Sequence, residues 1–305
     1  MIPDRFRERY SQIVDDPDAF FRCICQFVPK SFRVNTIKSD RKTVLERFAG
    51  YGMNIHGVPW YEDAFISESL EIGSTLEHFA GSIYIQELAS MLPPLLMRKE
   101  LEDARLVLDG CAAPGSKTTE IAAFMKNRGT IIANDTDFDR IRALKFNLEK
   151  CGVLNTIITN MDLRKYPPRE FDAIFIDAPC SSEGTCRKSE SLLRSWSERF
   201  IKKNSDTQKG LITKGFDMLA PDGAMIYSTC TYAPEENEAV LDHLLKSRSD
   251  ARIEKISVPG LRCAQGITGW EGRSFDDQVR NAIRIWPHMN DTEGFFLAKV
   301  TRWAD

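Results

Sequence analysis

From Arg105 onward the chain repeats one pattern: a short apolar run, then a helix-length segment, then another short run. The runs are Leu106-Val107-Leu108, Thr130–Ala133, Thr156–Thr159, Ala173–Ile176 and Ala224–Tyr227. Short runs apolar on both faces, separated by segments long enough to cross back as helices, predict a parallel sheet covered by helices on both sides. The connecting segments agree. Asp137–Lys150 places Phe138, Ile141, Leu144, Lys145 and Leu148 at helical spacing, and Gly152 stops it. Near the end, Ile283–Trp286 and Phe295–Ala298 flank a short polar loop with Asn290, Asp291 and Gly294, which predicts an antiparallel hairpin at a sheet edge. The fold class expected is therefore α/β, a Rossmann-like, mostly parallel sheet ending in an antiparallel hairpin.

The opening residues stand outside this alternation. Two charged helical stretches, an extended Phe32–Thr36, a helix near Arg41–Ala49 and a Gly-punctuated segment predict a small α+β domain. Its boundary falls between Gly73 and Gly81, giving residues 1–77 and 78–305 as the two domains. With 305 residues, 42% of them hydrophobic, the chain is long enough to bury a core in each. No apolar run approaches the roughly 18 residues that span a bilayer, and the amino terminus lacks a signal-peptide apolar region, so a cytoplasmic protein with no membrane partner is expected. Eight scattered cysteines fit reduced thiols.

A net charge of −3 provides no global field for a polyanion, so RNA or DNA would have to be held by local patches. Residues 187–214 carry eight Lys or Arg against three acids, and residues 1–60 carry ten against seven.

Directly after the first run comes Asp109-Gly110-Cys111-Ala112-Ala113-Pro114-Gly115-Ser116-Lys117-Thr118, followed by a helix expected over Thr119–Met125. Small residues at such a turn let backbone approach a ligand, and the next helix offers unpaired N–H groups. The register misses a phosphate-binding P-loop by one residue, because Ser116 intervenes between Gly115 and Lys117. Asp135, at the end of the second strand, suits ribose hydroxyls, and Asp162, after the third, suits an adenine amino group. An adenosyl ligand without a phosphate tail is the reading. The fourth and fifth strands deliver Asp177-Ala178-Pro179-Cys180 and Ser228-Thr229-Cys230-Thr231. Neighbouring strands lie about 5 Å apart, so two thiols and a carboxylate are expected at one crevice. Cys23, Cys25, Cys111, Cys151 and Cys263 read as packing, Cys186 is unassigned, and neither cysteine nor histidine spacing offers a metal site.

These residues resemble the signature motifs of the Sun-domain (NSUN/RsmB-like) RNA cytosine-5 methyltransferases. The likeness covers Asp109–Thr118, Asp177–Ser181 with Gly184-Thr185, and Ser228–Thr231 with Pro234-Glu235-Glu236-Asn237. It extends to Phe32-Arg33-Val34-Asn35, Tyr84–Ser90, Pro287-His288 and Gly294-Phe295-Phe296, nearly the whole chain. The resemblance implies methyl transfer from S-adenosyl-L-methionine to cytosine C5. It assigns Cys230 as the nucleophile at C6, Asp177 to the base edge, Cys180 to adduct release, and Lys117 a place near the target base. The backbone of Cys111, Ala112, Ala113, Pro114, Gly115, Ser116 and Lys117, with Asp135, Asp162, Asp177 and Arg140, would hold the cofactor. In the DNA cytosine-5 enzymes the nucleophile is the Pro-Cys cysteine, here Cys180, so sequence order alone leaves the two roles exchangeable; the additional Thr-Cys motif favours Cys230. Compact members resemble archaeal tRNA-modifying enzymes, which makes tRNA the first substrate expected, rRNA the second, and a monomer the expected state, with no appended RNA-anchoring module. A catalytically idle RNA-binding relative and a P-loop phosphotransferase are the competing readings.

Overall fold

The computed structural model describes residues 2–189 and 191–303; residues 1, 190, 304 and 305, which include Glu190 of the basic run and the outer limits of both expected domains, lie outside the described residues. The chain divides into two compact units: residues up to Val28 together with those from Ile176 onward, and Pro29–Phe175.

The first unit begins with helices α1 (Asp4–Tyr10) and α2 (Pro17–Cys23). Asp16 caps α2, its carboxylate accepting from Ala19 N at 2.9 Å, with Pro17 in the first turn, where a missing N–H costs nothing.

The second unit opens with β1 (Lys30–Val34), α3 (Arg41–Gly50), β2 (Ile55–Val58), β3 (Tyr61–Ser67) and β4 (Ile83–Ile85). The strands form an antiparallel sheet in the order β2-β3-β1-β4, and Phe32, Phe48 and Phe65 lie at its core. The Gly-punctuated segment is the β2–β3 hairpin, which short polar runs around Gly52 and Gly57 do not announce. The parallel strands follow: β5 (Leu106–Asp109), β6 (Thr130–Asn134), β7 (Thr156–Thr159) and β8 (Phe171–Asp177), in the order β7-β6-β5-β8. Helix α4 (Ser116–Phe124) links β5 to β6, and α5 (Phe138–Cys151) links β6 to β7. Asp137 caps α5 and Leu144 and Leu148 bury one face, as the spacing predicts. Helix α4 starts three residues earlier than expected, because Gly115 takes φ +102°, a conformation only glycine adopts freely, and turns the chain at once into the helix.

Strand β8 carries the chain back into the first unit, where Ala178 N donates to Ser228 O at 2.9 Å on β9 (Leu219–Thr229). Helix α6 (Glu198–Asp217) precedes β9 and α7 (Glu238–Ser247) follows it. Then come β10 (Ala251–Glu254), β11 (Ala264–Gln265), β12 (Gly269–Trp270), β13 (Arg273–Ser274), β14 (Ile283–Ile285) and β15 (Phe295–Arg302). Strand β15 pairs antiparallel with β9 from Phe296–Thr229 to Thr301–Ala224, and with β14 on its other side. The expected hairpin is present with two differences. A helical turn, Pro287–Asn290, occupies its link, and β14 is not the edge, since β11 pairs beyond it. Phe6, Tyr10 and Phe20 of the amino-terminal helices pack with Cys186, Leu193, Tyr232 and Trp286 in one cluster. Among the described residues no helix is long and apolar enough to cross a membrane.

Candidate active site

In the first unit the carboxyl ends of β8 and β9 set the geometry. Cys180 and Cys230 come together with their sulfurs 3.3 Å apart. Asp177 accepts from Ser228 Oγ at 2.8 Å, and Ser181 Oγ and Thr231 Oγ1 bond at 2.7 Å, so each residue of one turn is matched by one on the other. The Cys180 thiol is pushed well above its ordinary pKa, first by its hydrogen bond to Cys230 and then by burial. Either sulfur can serve as donor in this contact, so the pair can share one proton between them.

Two buried carboxyls brace these turns. Glu183 accepts from Tyr10 Oη, Thr231 Oγ1 and Tyr232 N at 2.7, 2.7 and 3.1 Å, and from Trp196 Nε1. Glu236 accepts from Ser181 N at 3.0 Å and from Gln208 Nε2 at 2.8 Å; burial raises its pKa to about 8. Neither carboxyl is evident from the chain, because sequence displays charge and conceals burial. The one available signal is that each is an acid within a thiol-bearing motif.

The second unit carries the ligand turn. Asp135, 4% exposed, accepts from Ala113 N at 3.1 Å and from Asp137 N at 3.0 Å. Each of its oxygens retains capacity for a further donor. Arg140 donates to Ala113 O and lies 3.7 Å from Asp135 Oδ2. Arg33 donates to Ser116 O at 3.1 Å and to Thr119 Oγ1, while Asn35 donates to Gly81 O and to Cys151 O at the end of α5; the Phe-Arg-Val-Asn run thus ties β1 to the start of α4 and the end of α5. Lys117 is buried in the first turn of α4. It weakly offsets the burial that raises Glu120 to a pKa of about 7, Arg33 being the stronger opposing charge. Arg164 holds Asp162 through Nε, Nη2 and the backbone N, and this pairing lowers the pKa of Asp162. S-adenosyl-L-methionine fits this donor set, since a buried carboxylate after the second parallel strand suits sugar hydroxyls.

The basic run separates into two kinds of residue. Arg187 is buried and donates to Gln26 O, Phe27 O, Thr292 O and Asp291, a structural staple, and Lys188 pairs with Glu293 at 2.8 Å. Arg199, Lys202 and Lys203 lie exposed along α6. Of the cysteines read as packing, Cys23 and Cys151 are buried, while Cys25 is exposed and Cys111 and Cys263 are half-buried.

Parallel β/α units closed by an antiparallel hairpin, with an adenosyl-type turn after the first parallel strand, define a Rossmann-like methyltransferase. A family model described as 16S rRNA methyltransferase RsmB/F matches residues 96–301, and one described as the N-terminal domain of 16S rRNA methyltransferase RsmF matches residues 2–88. The chain belongs to the RsmB/F methyltransferase family, whose members depend on S-adenosyl-L-methionine. It is 39% identical to the ribosomal RNA small subunit methyltransferase F of Vibrio parahaemolyticus over 99% of its own length and 63% of that protein's, so it spans less than two thirds of that relative. It is also 39% identical to the tRNA (cytosine(49)-C(5))-methyltransferase of Pyrococcus abyssi, over 99% of this chain and 96% of that one. A crystal structure of a methyltransferase homologue from Pyrococcus horikoshii superposes with a TM-score of 0.86 at 33% identity, covering 99% of this chain and 95% of the other.

Proposed function

We propose that this protein transfers a methyl group from S-adenosyl-L-methionine to C5 of cytosine in RNA, with tRNA as substrate, through a covalent adduct at Cys230. The observation that carries the reading is the pair of sulfurs 3.3 Å apart at the ends of adjacent strands. Cytosine C5 is too electron-poor to attack a methyl sulfonium unaided. Cys230 adds to C6 as a thiolate while N3 is protonated and Asp177 holds the base edge at N3 and the amino group, and the ring becomes an enamine. The cofactor supplies the methyl as an electrophile. Cys180, acting as a thiolate, then takes the C5 proton, the Cys230–C6 bond breaks as the ring double bond returns, and N3 gives up the proton it gained.

In this reading the backbone of residues 111–117, with Asp135, Arg140, Asp162 and Asp177, holds the cofactor, and Lys117 serves the target base. Asp162 would have to share its carboxylate with Arg164. Residues 1–77 act as the RNA-binding domain and 78–305 as the transferase. The target base leaves its stack at a cost of about a few kcal/mol, which favours an unpaired or distorted site. The near end-to-end match to the P. abyssi tRNA enzyme supports tRNA. Ribosomal RNA is the second reading, supported by similar identity to the Vibrio enzyme. The reading includes a monomer at work in the cytoplasm, where thiols stay reduced.

The test combines labelled S-adenosyl-L-methionine with unmodified tRNA and small-subunit RNA, followed by nucleoside mapping. Cys230→Ala is expected to abolish both methylation and adduct. Cys180→Ala is expected to accumulate protein covalently joined to RNA, seen as a retarded band in denaturing gels. The opposite pattern would exchange the roles of the two cysteines.

A further inference from the structure

The same two sulfurs have a second chemistry open to them. Their separation of 3.3 Å exceeds a disulfide bond by only about 1.3 Å. Three hydrogen bonds hold the flanking backbone and side chains in register: Ala178 N to Ser228 O and Gly184 N to Cys230 O, each 2.9 Å, and Ser181 Oγ with Thr231 Oγ1 at 2.7 Å. Neighbouring strands lie about 4.7–4.9 Å apart, inside the roughly 4.4–6.8 Å Cα window that a disulfide spans. The turns that follow them are therefore at a spacing a disulfide can bridge. Both cysteines are only half-buried, so a small oxidant reaches them.

We infer that Cys180 and Cys230 form a peroxide-responsive pair that closes into a reversible disulfide and switches the enzyme off. One thiolate attacks hydrogen peroxide, giving a sulfenic acid and hydroxide. The second sulfur displaces hydroxide from that sulfenic sulfur, and with two protons two waters are formed. Two electrons pass from the sulfurs to the peroxide, so two thiols and one peroxide give one disulfide and two waters. A resolving thiol already in contact competes with further oxidation, which keeps the product reducible. The loss of methyl transfer rests on the function proposed above, because closure removes the carbon nucleophile and the proton acceptor together. The disulfide itself rests on geometry alone.

The test treats the full chain with hydrogen peroxide in slight excess and follows three readouts. Intact mass is expected to fall by about 2 Da, and digestion without reductant to yield one peptide pair linking Cys180 to Cys230. Methyl transfer to RNA is expected to drop at least about tenfold and to return with dithiothreitol. The exposed Cys25, changed to Ser as a control, is expected to leave the link intact. A gain of oxygen on either cysteine without a link, or a link to another cysteine, overturns the inference. A mapped link with undiminished methyl transfer overturns the switch. If the reduced protein never methylates RNA yet the link forms, the proposed function falls and the disulfide stands.

Discussion

Glu236 has a carboxyl group whose proton is held by the fold. Its pKa rises from 4.5 to about 8, chiefly through burial, while Ser181 and Gln208 pull the other way. The folded state therefore binds a proton that the unfolded chain releases above pH 4.5, so stability is fully present below that pH and declines as pH rises toward 8. The slope reaches at most about 1.4 kcal/mol per pH unit from this one group. Urea unfolding at pH 5, 6.5 and 8 is expected to show a shallower decline for Glu236→Gln than for the parent chain. Parallel curves would mean the carboxyl is ionised throughout. At this scale the sequence displays Cys180 and Cys230, because a cysteine after a buried strand is a visible oddity. Glu183 and Glu236 escape notice because an acid in a polar turn looks solvated until Tyr10 and Gln208, far away in the chain, are found against it.

Among elements, β5, β6, β8 and the buried second half of β9 are legible because a buried strand must be apolar on both faces, while β7, partly exposed, is read from its short apolar run alone. The β2–β3 hairpin and β10–β13 are not, being short and partly exposed, with polar residues on the open side. The Gly184-Thr185 motif shows what a motif can encode besides chemistry. Gly184 N donates to Cys230 O and Gly184 O accepts from Gly294 N, so three loops meet at one residue. A Cβ there would stand 2.2 Å from Gly294 O and 2.9 Å from Cys230 O, both backbone atoms with little room to retreat. Gly184→Ala is expected to cost about 1–3 kcal/mol or more, and to lower kcat at least about tenfold because the Cys230 turn is displaced. Unfolding and single-turnover methylation measure the two effects separately. A variant as active as the parent would show that the turn has slack.

For the whole molecule, RNA affinity must come from local charge, since the net charge is −3. Arg199, Lys202 and Lys203 line the exposed face of α6. Neutralising all three with Gln is expected to weaken binding similarly for different RNA sequences. It should also reduce the slope of log affinity against log salt by about 0.7 per lost phosphate contact to single strands. Filter binding across a salt series checks this, and an unchanged slope places the phosphate contacts elsewhere. Arg187 shows why charge counts mislead here: it belongs to the basic run by sequence and to the interior by position. Domain organisation was also partly hidden. The compact units divide at Val28 and Phe175, and the packing of Phe6, Tyr10 and Phe20 with Tyr232 and Trp286 has no local signature.

That packing has a consequence for biosynthesis. The helices Asp4–Tyr10 and Pro17–Cys23 leave the ribosome before any of their partners, and the whole of Pro29–Phe175 must be made in between. Domains generally fold in the order in which they emerge, but here a segment made early is among the last to find its place. Until Trp286 has been added, Phe6, Tyr10 and Phe20 lack part of their shelter, so these aromatic side chains stay open to solvent through most of the synthesis of the residues that cover them.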